Sequence, residues 1–303
     1  MKQDGRMHVS VHFSSEEEKR RTVRQGEEAF SARLTYVTDA LLTNTKLRLI
    51  GLCGPTCAGK TTAANRISAA FAAQNRRVHI ISVDDFYYDK DVLHTLSQQR
   101  GNGEIDYDSP ETIDIQALSA FVRAIGTGGG ELECPTFDFG SGMRKAWRSI
   151  SYGERDVFLL EGIQVVYPQV LSLLEPYGFV GVYIAPLQTV CYADVQIPPN
   201  TLRLMRRLVR DARYRSTSPE FTLRLWQSVR QNEEKWIFPH VDRFPYHLDS
   251  TFPYEVGILK PYLDQLLAGV RGREAEEIRH LLQGADGIDP SYLASDSLYH
   301  EFV

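Results

Sequence analysis

The segment Gly54-Pro55-Thr56-Cys57-Ala58-Gly59-Lys60-Thr61-Thr62 carries the pattern GxxxxGK[ST], and no other feature of the chain limits the fold as strongly. The pattern holds phosphate only when a strand delivers the loop and a helix leaves it, because backbone N–H groups and the helix N-terminus must face the anion. The flanks meet that demand. Leu47 to Cys53 is a short apolar run, and Thr61 to Gln74 is alanine-rich and helix-favouring. Lys60 is then placed for β- and γ-phosphates and Thr61 for a magnesium ion, with Gly54, Thr56, Cys57, Ala58, Gly59 and Thr62 completing the phosphate cradle. The bland alternative is a tight glycine turn with a solvated lysine. Cys57 lies beside a helix N-terminus, which makes a redox-sensitive loop one reading and a small side chain that fits the other.

Further apolar runs at 78–83, 156–160 and 179–184, with a weaker one at 246–250, alternate with helical segments. That alternation predicts an α/β fold: a parallel five-stranded sheet flanked by helices, of the P-loop NTPase type. Val23, Phe30, Leu34, Val37 and Leu41 share one helix face, so residues 1–46 read as an N-terminal helical extension. The main domain is expected over 47–270. It includes a polar, glycine-rich stretch from Leu93 to Gly130 with a helix at 112–125, a β-hairpin insertion at 132–150 that covers the substrate, and an arginine-rich lid region at 201–236. A helix near Val256 to Leu266 has Pro261 inside it and is expected to kink. Residues 271–303 form a C-terminal helical extension.

The chain of 303 residues is 43% hydrophobic and 24% charged, enough for a full core. Its formal net charge of -5 excludes a general polyanion-binding field. The opening residues have no signal-like apolar stretch and no run reaches bilayer length. Four cysteines without metal-ligand spacing suit a reducing compartment. The expectation is a cytoplasmic protein with no membrane partner and no nucleic-acid partner.

Asp84 follows the second strand and emerges at the same sheet edge as the phosphate loop, where α/β ligands bind. It is a candidate general base and a magnesium-shell ligand, or else a turn or cap aspartate. Glu161 ends the third strand where a second magnesium-holding carboxylate belongs. Arg203, Arg206, Arg207 and Arg210 fall on one helix face, where four like charges repel unless an anion joins them. A clamp on a transferring phosphoryl group, a solvated face and an RNA-binding helix are the readings.

These residues resemble the uridine kinase and phosphoribulokinase family of P-loop kinases. More narrowly, the chain is similar to bacterial nucleoside kinases related to the threonyl-tRNA synthetase N-terminal region. The resemblance runs from Leu47 to the C-terminus through the phosphate loop, Asp84-Asp85-Phe86-Tyr87, Asp106-Tyr107-Asp108-Ser109-Pro110, Phe137-Asp138-Phe139 with Arg144, Glu161-Gly162-Ile163, the arginine helix, and Ser297 to Phe302. It implies an ATP- or other NTP-dependent, magnesium-requiring kinase acting on the 5′-hydroxyl of a nucleoside. Asp84 would activate that hydroxyl with Tyr87 beside it, and Asp108 would bind the ribose hydroxyls with Arg203. Arg206, Arg207 and Arg210 would meet the triphosphate. Phe137, Phe139 and Arg144 would line the base pocket. The family's base-reading histidine aligns with Gly142, and Phe137 replaces a tyrosine, so the base is left open. A kinase for another small hydroxyl metabolite, a regulatory nucleotide binder and a homo-oligomer stay open as well.

Overall fold

The computed structural model describes residues 5–99, 105–126 and 128–303. Part of the glycine-rich stretch, 100–104 and 127, lies outside the described residues. Strands β1 (Leu49–Cys53), β2 (Val78–Ser82), β3 (Val157–Glu161), β4 (Val180–Ala185) and β5 (Tyr246–Asp249) form one sheet in the order β5-β4-β1-β3-β2. Every pairing in it is parallel. Side chains alternate across it. Ile50, Leu52, Leu159, Val182 and Ile184 enter one apolar cluster, while Leu49, Cys53, Phe158, Leu160 and Tyr183 enter another. Burial on both faces explains why these strands read as continuous apolar runs rather than alternating ones.

The register places the chemistry. Leu52 and Ser82 both pair with Glu161, so the ends of β1, β2 and β3 are level, and the residues that follow them share one sheet edge.

Helix α1 (Glu16–Thr43) buries Val23, Phe30, Leu34, Val37 and Leu41, and Ser15 caps it by accepting from the Glu18 N–H at 3.2 Å. Helix α2 (Lys60–Ala73) follows the phosphate loop, and α3 (Ile115–Ile125) is capped by Asp114. The hairpin pairs Gly130–Cys134 with Arg148–Tyr152 in antiparallel register, with Phe137–Asp138 and Met143–Arg144 pairing nearer its tip. Helix α4 (Pro199–Tyr214) carries the arginines, α5 (Pro219–Asn232) follows, and α6 (Glu255–Leu266) runs on through Pro261. Proline leaves the carbonyl of Gly257 without its helical donor. The Ile288 N–H fills that place at 2.9 Å. The C-terminal segment is thereby tied to α6.

One small sheet escaped the sequence reading. Arg6–His8 pairs parallel with Thr189–Tyr192, which turns back on Val195–Ile197. Strands of three and four residues carry too little periodicity to stand out.

Candidate active site

The loop between β1 and α2 is shaped by two glycines that cannot be replaced without displacing neighbours. A Cβ on Gly54 would lie 2.2 Å from the Ile184 carbonyl oxygen. Gly59 has φ +95, and a Cβ there would lie 2.0 Å from Leu298. The Lys60 ammonium folds over its own loop, donating to the carbonyls of Gly54 at 2.9 Å and Pro55 at 3.2 Å.

A cavity of about 330 Å³ opens above this loop, lined by Thr56 to Thr61, Asp84, Tyr87, Asp108, Phe139, Glu161, Arg207 and Arg210 among others. The sheet edge therefore brings most of the expected residues together. Asp84 lies in the short turn after β2, with Gln164 Nε2 donating to its Oδ1 at 2.5 Å. The same amide nitrogen contacts the Tyr87 hydroxyl, which in turn donates to the Tyr107 carbonyl at 2.9 Å. Burial pushes the Asp84 carboxyl above the usual carboxylate range, against the opposing hydrogen bonds of Gln164 and Tyr87 and the charge of Lys60. Glu161 is raised by burial too, with Lys60 opposing and Asp84 adding to the rise. Asp108 is pushed up to about 6 by burial and then by neighbouring Asp106. Its backbone carbonyl accepts from the Tyr167 hydroxyl at 2.6 Å, which fixes the turn.

The arginine helix divides into two pairs. Arg207 and Arg210 line the cavity, held by Asp211 at 3.1 Å and 2.7 Å, and Arg210 also donates to Thr56 Oγ1 at 3.3 Å. Arg203 and Arg206 do not line it, which corrects their expected contacts with ribose and triphosphate. Arg203 is 2% exposed and makes a two-pronged pair with Glu233 at 2.6 Å. Arg206 is 0% exposed and pairs with Glu255 at 2.8 Å. Burial works against its charge, yet the Glu255 carboxylate beside it holds the guanidinium well above its ordinary pKa. Both donate at 3.3 Å to phosphate-loop carbonyls, Arg203 to Thr56 and Arg206 to Cys57. They brace the back of the loop. Arg203 and Arg206 are packed against Glu233 and α6, so this side of the helix is a buried wall.

Arg144 is corrected in the same way. Its guanidinium donates to the carbonyls of Tyr87 at 2.8 Å and Phe86 at 3.2 Å and to Asp114 at 2.9 Å. It clamps the hairpin to the turn carrying Asp84. Asp85, which faces the hairpin, accepts from the Phe137 N–H at 3.0 Å. Phe137 packs edge-on to Tyr87 and Phe139 behind the cavity wall, and only Phe139 of the aromatic pair reaches the lining. Thr62 itself is not among the lining residues, but its N–H is held at 2.7 Å by Glu301, which is. Cys57 is 4% exposed, which leaves its thiol little access to oxidants.

Gly142 does not face the cavity either. It has φ +71, and a Cβ there would lie 3.0 Å from Lys90 Cβ. Gly142→His is therefore expected to add no activity on uridine or cytidine and to destabilise the chain by roughly 1 kcal/mol through the left-handed backbone. Melting temperature and kcat/KM for the two nucleosides check this. A gain in kcat/KM would return the position to the base pocket.

Sequence reasoning missed Gln164, Tyr167, Glu233 and Glu301, all of which line the cavity. Gln164 had a usable signal, since it stands three residues past Glu161 at the sheet edge. Glu301 lay in the closing stretch Ser297 to Phe302 that carries the resemblance, but that stretch implied no role for it at a site far away in sequence. Among the described residues no group of three or more His, Cys, Asp or Glu forms a metal-holding cluster. An octahedral magnesium held through one or two carboxylates, a hydroxyl, water and phosphate needs no such cluster. No helix among the described residues is long and apolar enough to cross a membrane.

Comparison with known proteins gives the family. Residues 49–248 match the model of the phosphoribulokinase / uridine kinase family. A uridine kinase of Schizosaccharomyces pombe is 32% identical over 172 residues, 56% of this chain and 33% of that protein. The match thus spans a third of the yeast protein's length. A uridine kinase of Staphylococcus aureus is 28% identical over 194 residues, 63% of this chain and 82% of that protein. Among solved structures, a candidate fructose transport system kinase from a Silicibacter species superposes with a TM-score of 0.50 at 20% identity, covering 66% of this chain and 94% of that one. That likeness concerns the fold.

Proposed function

The chain belongs to the phosphoribulokinase / uridine kinase family of kinases, and from that premise we propose that it transfers the γ-phosphoryl group of ATP to the 5′-hydroxyl of a ribonucleoside. The observation that carries the reading is the position of Asp84: a buried carboxylate in the same cavity as the phosphate loop, with Asp108 on the acceptor side. The two curated relatives named uridine kinase support a nucleoside acceptor.

In this reading the loop N–H groups and Lys60 bind the triphosphate, and Arg207 and Arg210 neutralise charge that builds on the transferring group. The residues present fit a magnesium ion. Thr61, Asp84 and Glu161 line one cavity, and the Asp84 charge adds to the rise of the Glu161 carboxyl, a repulsion that a cation between them would relieve. When bound, magnesium would supply charge neutralisation at the phosphates. Asp84 accepts the proton of the attacking hydroxyl, and Gln164 fixes which of its oxygens is free to do so. Asp108 accepts from the ribose hydroxyls. Phe139 and the Tyr107 ring, 6.3 Å apart by centroid, give the base an apolar wall.

An acceptor screen tests the proposal: chain, ATP and magnesium with a panel of nucleosides, nucleotides and hydroxyl metabolites, with product read by mass. Phosphorylation of a non-nucleoside alone would overturn it. A second expectation concerns pH. With its carboxyl raised to about 6, Asp108 is ionised above that pH and takes up a proton below it. The nucleoside KM is expected to rise as pH falls through about 6, while the ATP KM changes less. Asp108→Asn should have a high KM at every pH, and a flat KM in the native chain would remove Asp108 from the ribose site.

A further inference from the structure

The first N–H groups of a helix have no partner within it, and at a phosphate loop they are the groups that meet phosphate oxygens. In α2 one of them is already engaged. The Thr62 N–H donates to Glu301 Oε1 at 2.7 Å across 239 residues of sequence. Glu301 lines the same cavity as Lys60, Arg207 and Arg210. A carboxylate in that position offers what a phosphate offers, a negative charge and acceptor oxygens at the positive end of a helix.

The segment carrying Glu301 is built into the core. Leu298 is fully buried and fills the space a Cβ on Gly59 would need. The Tyr299 hydroxyl donates to Glu255 Oε2 at 2.5 Å, and the Arg206 guanidinium lies 5.3 Å from the Tyr299 ring centroid and 5.4 Å from that of Phe302. Ser297 is tied to buried Glu27. Between these anchors Glu301 itself is half-buried at the cavity wall. The backbone is fixed, and the Glu301 side chain can leave Thr62 by rotating about its own bonds.

We propose that Glu301 is an internal anion seated on a phosphate position, so that a nucleotide gains the Thr62 N–H only when this side chain swings away. The inference rests on reading the loop as the triphosphate site. Two anions cannot share one N–H, so the observed affinity is the intrinsic affinity reduced by the fraction of molecules in which the group is free. Glu301 thus sets the nucleotide affinity, and in the empty state it gives the cavity's arginines and Lys60 a counter-charge.

The test is direct binding of ATP to the full chain, measured by competition with a fluorescent ATP analogue. Glu301→Ala and Glu301→Gln are expected to lower Kd by roughly tenfold to a hundredfold, the range of one charge-assisted hydrogen bond net of water. Glu301→Asp keeps the charge and shortens the reach by one methylene, and it should tighten binding as well. Unchanged or weaker binding in Glu301→Ala overturns the inference. Tightening in Ala and Gln with Asp at the native value also overturns it, because the net charge of the cavity would then be acting rather than the contact. Lys60→Met separates the two levels. If the native chain binds no ATP and Lys60→Met behaves the same, the phosphate-loop reading falls and this inference with it. If the native chain binds and Lys60→Met does not, the loop reading stands and the Glu301 variants decide alone. Melting curves of each variant check that the fold is kept.

Discussion

Asp84→Asn is expected to bind ATP as the native chain does and to lower kcat by about 10²- to 10⁴-fold, the share a positioned general base contributes. The substitution is nearly isosteric, so the turn after β2 and the cavity should keep their shape. The chemistry reverses. Gln164 donates to Oδ1 of Asp84, so an asparagine amide will turn its carbonyl toward Gln164 and present its NH₂ to the acceptor. A donor then faces the hydroxyl whose proton must be taken up. Coupled detection of ADP gives kcat, and ATP titration gives Kd. Burial holds the native carboxyl above the ordinary range, so kcat should fall on the acid side at a pH higher than an exposed aspartate would give. Turnover retained in the asparagine variant would remove Asp84 from the base role.

Much of this site was legible because its parts come from local pattern. The strand–loop–helix around Lys60, the acid two residues past β2 and the acid ending β3 each announce themselves within a few residues, and parallel pairing then levels their strand ends. What the sequence could not reveal is which way a side chain turns once packed. Arg203, Arg206, Arg207 and Arg210 lie on one helix face, yet two meet the cavity and two meet Glu233 and Glu255. Those acids stand 30 and 49 residues further on, a distance no periodicity bridges. Arg144 failed for a related reason. Its place next to an aromatic pair suggested substrate, but the outer part of the hairpin needs a clamp to the turn after β2, and a guanidinium with several donors suits that task. Glu301 and Ile288 show the same limit from the other end, since long-range closure by the C-terminal segment leaves no trace in local composition.

The reassignment of Arg206 predicts a second large effect, on stability rather than on chemistry. Its guanidinium is enclosed by Glu255, the Ser250 carbonyl at 2.6 Å and the rings of Tyr299 and Phe302. Arg206→Met leaves the Glu255 carboxylate buried at 0% exposure without its counterion, a loss of about 3–5 kcal/mol. The melting temperature should fall by roughly 5–8 °C. Adding Glu255→Leu removes the stranded charge and should restore much of the loss, although the Phe252 N–H and Tyr299 hydroxyl that Glu255 accepts from would lose a partner. Arg210→Ala is the contrast. That side chain lines the cavity and reaches Thr56, so its removal should lower kcat/KM with a far smaller change in melting. If Arg206→Met instead melts as the native chain does and loses only kcat, Arg206 works on the transferring phosphoryl group and the buried-brace assignment is wrong.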